Sequence, residues 1–174
     1  ALGMNPEQIA EKAREIYNGY YIGKYNSETF WRAIMNHFGL AETTEINPVA
    51  LSGAYLNSYQ IYQEVLDVAL KLQKHYQVGL LSNLTPEMRD YVRSRHQTNK
   101  YFRPELYSCD PDLAALKPDL RAYELILQQM AADPRACLFI DNSRRNLIPA
   151  ETLGMQTIFF TNLNKFLKDI KILL

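Results

Sequence analysis

Apolar residues change their spacing partway along this chain. Up to residue 75 they recur every three or four positions, as one face of a helix requires. Ile9, Ala13 and Ile16 form the first stripe, after Asn5-Pro6, a cap residue followed by a proline at the first helical position. Asn26-Ser27-Glu28 opens a second helix through Phe30, Trp31, Ile34 and Phe38, closed by Gly39. Asn47-Pro48 opens a third, weaker helix. Residues 59–75 make a fourth, with Ile61, Val65, Val68 and Leu72 on one side. The first 75 residues therefore read as an all-helical unit.

From Val78 onwards short apolar runs alternate with helical stretches. Residues 78–81, 105–108, 136–140 and 156–160 are expected strands. Helices are expected at 86–97, capped by Thr85, at 119–131, at 144–153, closed by Gly154, and near 162–172. Strand, helix and strand between 136 and 160 have the size of a parallel βαβ unit. The alternation predicts a parallel sheet with helices on both faces. Residues 1–75 are thus expected to form a helical cap and 76–174 an α/β core, with the boundary near 75–77.

Composition narrows the classes. A chain of 174 residues, 47 % hydrophobic and 22 % charged, suits one globular domain with a small appended lobe. A formal net charge of zero argues against a nucleic-acid or membrane surface, both of which need a basic excess or patch. No apolar segment is long enough to cross a bilayer. The start, Ala1 to Pro6, lacks the charged lead and apolar run of a signal peptide. Position 1 is not Met, and the chain is expected to begin downstream of a natural start. Cys109 and Cys137 read as reduced, packed thiols of a cytoplasmic protein. His37, His75 and His96 have no metal-site spacing. There is no Gly-x-Ser-x-Gly elbow, P-loop or Gly-x-Gly-x-x-Gly, which argues against serine-hydrolase chemistry, NTPase activity and dinucleotide binding.

Candidate chemistry gathers at three places, each at a strand end or a helix start, the edge where parallel α/β sheets bind ligands. In Leu80-Leu81-Ser82-Asn83 a hydroxyl follows an apolar strand. Ser82 with nearby backbone N–H groups can hold a phosphate oxygen; Ser82 and Asn83 can equally do no more than cap a turn. In Lys117-Pro118-Asp119, Asp119 caps a helix and Pro118 forces Lys117 into an extended conformation. The ammonium then neutralises a phosphoryl group or a carboxylate, or stays a solvated surface lysine. In Asp141-Asn142 a carboxylate ends a strand. It is a candidate Mg2+ ligand or an orienter of Lys117, with a helix N-cap by Asn142 or Ser143 as the plain alternative. Arg144 and Arg145 open the next helix and meet a phosphate, a partner or only solvent. Asp110-Pro111-Asp112 reads as a turn.

In this order, Leu80-Leu81-Ser82-Asn83, Lys117-Pro118-Asp119 and Phe139-Ile140-Asp141-Asn142, with Asn146 and Gly154-Met155 downstream, resemble motifs II, III and IV of the haloacid dehalogenase-like (HAD) hydrolase superfamily. Residues 5–75 look like the inserted helical cap of its first subclass. Phe30-Trp31-Arg32-Ala33 is similar to caps of its acid-phosphatase and epoxide-hydrolase-phosphatase branch. The resemblance implies an α/β, Rossmann-like three-layer parallel sheet with an N-terminal all-helical cap. It implies phosphatase-type hydrolysis of a small phosphorylated metabolite, with Ser82, Asn83 and Lys117 on phosphate and Lys117 and Asp141 in catalysis. Mg2+ would be held by Asp141 and Asn142. Tyr17, Tyr20, Tyr21 and Tyr25 then either line a pocket over the site or pack the cap.

The chain departs from that pattern twice. Motif I, a strand ending Asp-x-Asp whose first Asp is the family's nucleophile, is absent. Asn142 stands where the family usually has a second, metal-binding acid, so Mg2+ is expected to bind weakly. This polypeptide is therefore expected to have no phosphatase activity. The absent strand is the family's central one, and its loss leaves backbone groups unpaired on both sides. Three arrangements answer that: a chain that is a fragment, a strand donated by a partner or a second copy, or neighbouring strands that close together. A degenerate HAD-like binding or regulatory module is the alternative to an enzyme. A metal-free dehalogenase branch tolerates Asn142 but still needs the nucleophile and usually a serine-rich motif IV.

Overall fold

The computed structural model describes residues 6–40, 48–57 and 59–173. Its first four helices are α1 (Pro6–Lys12), α2 (Arg14–Tyr21), α3 (Ser27–His37) and α4 (Pro48–Asn57). The stripe expected to make one first helix is divided at Ala13, whose backbone leaves helical geometry at φ −103° and ψ 20°. Hydrogen bonds from Ala13 N to Ile9 O and from Tyr17 N to Ala13 O still run across the break. The expected caps Asn5 and Asn47 lie outside the described residues. Asn26 caps α3 through a reciprocal capping box with Thr29. Phe30 stacks on Tyr20 and meets Tyr17 and Trp31 edge-on, so an aromatic cluster with Ala13 and Ile34 holds α2 and α3 together.

The second half alternates as expected. Helix α5 (Gln63–Leu72) leads to strand β1 (Leu80–Ser82), helix α6 (Pro86–His96), strand β2 (Glu105–Tyr107) and helix α7 (Leu120–Met130). Then come β3 (Leu138–Asp141), α8 (Arg144–Thr152), β4 (Gln156–Phe159) and α9 (Leu163–Ile170). Thr85 and Asp119 cap α6 and α7. Strand β3 starts two residues later than its apolar run because Asp133 caps a short 3-10 turn at Pro134–Ala136. Helix α5 is shorter than the expected 59–75: Ile61 packs beside Tyr55, Leu56 and Tyr91 instead of extending it.

Helix α5 packs on the α/β layer. Val68 lies against Phe166 and Ile170 of α9, with Val65, Leu72, Leu138 and Ile140 around them. Its apolar face covers the α/β layer. The other face of the α/β layer is built by Leu106, Ala122, Tyr123, Ile126 and Ala150, with Leu81 and Phe139 against them.

All four strands are parallel in their pairs, but they do not make one continuous sheet. Strand β1 pairs with β2, Leu81 opposite Leu106, and β3 pairs with β4, Ile140 opposite Ile158. Among the described residues β1 and β3 share no ladder. In a parallel pair alternate residues bond to one neighbour. Leu80 and Ser82 bond to β2, and Cys137 and Asp141 bond to β4. Leu81, Leu138 and Ile140 therefore turn their backbone groups to the opposite, open edges. The apolar residues of both strands stay half-buried. No described helix is long and apolar enough to cross a membrane.

Candidate active site

Asp141 is the last residue of β3 and is 7 % exposed. Its Oδ1 accepts from the Ser143 N–H at 2.8 Å and from Asn146 Nδ2 at 3.0 Å. Its Oδ2 accepts from Lys117 Nζ at 2.6 Å. A carboxylate at this strand end thus caps the first turn of α8 and pairs with a lysine in one conformation. Ser143 takes the N-cap position of α8 without a side-chain bond of its own. Asn142 is exposed.

Lys117 reaches that carboxylate from the loop before α7. Its Nζ also donates to Leu81 O at 2.8 Å and stands 5.6 Å from the Phe139 ring centre. The expected alternative of a solvated lysine is set aside by the burial of its side chain, 10 % exposed. Its backbone is held by Asn83: the Lys117 N–H donates to Asn83 Oδ1 at 2.9 Å, and Asn83 Nδ2 donates to Lys117 O at 3.1 Å. Asn83, the residue after β1, thus spends its amide on the lysine loop. Ser82 ends β1 half-buried, and its hydroxyl has no partner among the described residues.

Behind the pair, Tyr123 of α7 donates to Asn146 O at 2.7 Å and lies edge-on to Phe139. Burial, and after it the Asp141 charge, push the Tyr123 hydroxyl above its usual range, which keeps it a neutral donor. Arg144 leaves the cluster to lie over the Phe159 ring, 4.3 Å from its centre, and Arg145 is exposed.

The helical unit reaches the same strand-end side. Ser108, just past β2 and fully buried, accepts from Leu84 N at 3.1 Å and donates to Tyr21 O at 2.6 Å. Gly23, at φ +78°, brings the α2–α3 turn against Cys109, where a Cβ would lie 2.8 Å from the Cys109 carbonyl oxygen. Glu87, in the first turn of α6, accepts from the Ser27 N–H that opens α3. Of the four cap tyrosines, Tyr17, Tyr20 and Tyr25 belong to the aromatic cluster of α2 and α3, and Tyr21 meets Tyr55 hydroxyl to hydroxyl at 3.3 Å.

Ser82, Asn83, Lys117 and Asp141 are thus gathered at the ends of β1 and β3, and Asn142 beside them is exposed. Four contributors went unassigned from sequence: Leu81 O, Tyr123, Ser108 and Glu87. Backbone acceptors and tertiary contacts leave no residue pattern. The Asp110-Pro111-Asp112 stretch is a turn, with Asp110 taken by the Tyr107 N–H at 2.8 Å and Arg89 at 3.1 Å. Both cysteines are free.

The residues at the β3 end fit Mg2+ poorly. This ion wants near-octahedral oxygen ligands, including one or two carboxylates with lone pairs to give. Asp141 has both oxygens engaged, one of them by an ammonium, and its neighbour brings a neutral amide. No group of three or more His, Cys, Asp or Glu side chains fit to hold a metal occurs among the described residues.

A parallel α/β layer with a helical unit over its strand ends, and a Ser, Lys and Asp at those ends, defines a fold of the Rossmann-like type. The fold is that of the HAD-like superfamily. A predicted HAD-like family hydrolase of Porphyromonas gingivalis superposes with a TM-score of 0.79 over 97 % of this chain and 90 % of its own, at 21 % identity. A HAD-family enzyme of Bacteroides thetaiotaomicron gives 0.76 over 88 % and 76 %, at 22 % identity. Its complex with magnesium and inorganic phosphate gives 0.72 over 90 % and 86 %, at 21 % identity. In sequence the chain is similar to (S)-2-haloacid dehalogenase of Pseudomonas sp. (strain YL), 27 % identical over 158 residues, 90 % of this chain and 66 % of that protein. It is also similar to bifunctional epoxide hydrolase 2 of Sus scrofa, 29 % identical over 121 residues, 67 % of this chain. The chain spans 21 % of that relative and just under two thirds of the dehalogenase. No protein-family model matches the chain.

Proposed function

We propose that this chain is a phosphatase-type hydrolase domain of the HAD-like fold that holds a phosphoryl group but brings no nucleophile of its own. The observation that carries the reading is the Lys117 ammonium, fixed between Leu81 O and Asp141 where β1 and β3 end. There the Ser82 hydroxyl and the third N–H of Lys117 would meet phosphate oxygens of a small phosphorylated metabolite, neutralising charge as it develops. Asn83 and Asp141 set the position of the lysine. Mg2+, present in the complex of the Bacteroides enzyme, meets a poor ligand set at the β3 end of this chain.

The attacking group in such chemistry is a carboxylate that forms an acyl phosphate and is then freed by water. Asp141 is committed to Lys117, Ser143 and Asn146, and Asp110 to Tyr107 and Arg89, so neither is free to attack. The open edges of β1 and β3 suit a further strand, from this protein, a second copy or another partner, with its carboxylate beside Lys117. The free thiols fit a cytoplasmic setting.

A turnover assay with an aryl phosphate and Mg2+ tests the reading. The chain alone is expected to show no rate above buffer, and robust turnover abolished by Asp141→Ala would overturn it. A second reading, a degenerate HAD-like module that binds or regulates without catalysis, is favoured by the neutral, exposed Asn142. Addition of an apolar peptide ending Asp-x-Asp separates the two. Turnover then appears under the first reading and stays absent under the second.

A further inference from the structure

The Lys117–Asp141 pair supports a second conclusion, which stands on its geometry and not on the phosphatase reading. Asp141 is 7 % exposed, its Oδ1 filled by two N–H donors and its Oδ2 by the Lys117 ammonium at 2.6 Å. A divalent cation on Oδ2 must displace that ammonium or sit beside it, like charge against like charge. Position 142 offers no second charge to offset this, since its amide is neutral and exposed. The ammonium is itself held on its other side by Leu81 O, so moving it breaks a second bond.

We infer that in this chain Lys117 stands in for a divalent metal ion, and that the β3 end is an internally neutral ion pair that holds neither Mg2+ nor Mn2+. Positive charge at the strand ends then comes from a fixed side chain. Any anion that docks there does so on the remaining lysine N–H and not through a metal.

A Mn2+ titration followed by electron paramagnetic resonance, with Mg2+ as competitor, tests this on the whole chain. The expected free Mn2+ signal equals that of buffer and is unchanged in Asp141→Asn. The variant carrying Lys117→Met and Asn142→Asp removes the ammonium and adds a carboxylate, and is expected to lower the free Mn2+ signal where the natural chain leaves it at the buffer level. Mn2+ binding by the natural chain that Mg2+ competes for and Asp141→Asn removes would overturn the inference. That result needs no variant beyond Asp141→Asn, which keeps the shape of the side chain.

Discussion

Lys117 Nζ stands 2.6 Å from Asp141 Oδ2 and 2.8 Å from Leu81 O, so one side chain joins the ends of two strands that share no backbone bond. The side chains of the pair are 10 % and 5 % exposed. Removing one member of a buried pair strands the other charge, at a cost of about 3 kcal/mol or more, whereas replacing both with apolar groups is often neutral. Lys117→Met is therefore expected to lower unfolding free energy by about 3 kcal/mol, and Lys117→Met with Asp141→Leu to recover most of the loss. Urea denaturation of the four chains of this cycle measures it. Equal, additive losses from the two single changes would show that the pair does not act as a unit.

The helical unit rests on the α/β unit through contacts that leave little room. Ser108→Ala leaves Leu84 N and Tyr21 O without their buried partner and should cost about 2 kcal/mol. Gly23→Ala puts a Cβ at a left-handed φ and 2.8 Å from the Cys109 carbonyl, and should cost about 2 kcal/mol or more. Both changes are expected to speed amide hydrogen exchange in the α2–α3 turn more than in β3 and β4. A uniform rise across the chain would mean that these contacts serve global stability alone.

What could be read in the sequence was local. Asn26, Thr85 and Asp119 announce helix starts because a cap acts within three residues of itself. Ser82, Lys117 and Asp141 could be placed together because each ends a strand or precedes a helix, and parallel topology brings those ends to one edge. Contacts distant in sequence left no such mark. Helix α5 has the same periodic stripe whether it covers another helix or a sheet, so only its packing on Phe166 and Ile170 assigns it to the α/β layer. Asn83 reads as a phosphate or turn residue, and its clasp on the Lys117 backbone spans 34 positions. Strand propensity says nothing of which strands pair, so the two ladders are read from the backbone bonds of the structure.

Ser82 gives a direct check on the phosphate seat. Its hydroxyl has no partner within the described residues, so Ser82→Ala should leave stability nearly unchanged, within about 0.5 kcal/mol. Loss of one hydrogen bond to an anion is expected to weaken binding of inorganic phosphate by about 1.5 kcal/mol, roughly tenfold. Calorimetric titration with phosphate in the presence of a chelator reads both the seat and its independence of metal. Unchanged affinity in Ser82→Ala would move phosphate away from the end of β1.

Cys109 sets an alkaline limit on stability. It is 5 % exposed, and burial, opposed by the Arg89 charge, pushes its thiol up to about 11 from an ordinary value of 9.0. The folded chain therefore keeps this proton over a range in which the unfolded chain has lost it. Stability from Cys109 is fully present below pH 9 and falls as pH rises towards 11. Between pH 9 and 10 the loss should be about 1 kcal/mol. Buried tyrosines such as Tyr20 and Tyr107 are also raised above their usual value and add to the alkaline fall. Their share cancels when the natural chain is compared with Cys109→Ala at each pH. The difference in unfolding free energy between the two chains is expected to narrow by about 1 kcal/mol from pH 9 to 10. A difference that stays constant across that range would mean that the Cys109 thiol ionises in the folded chain as readily as in the unfolded one.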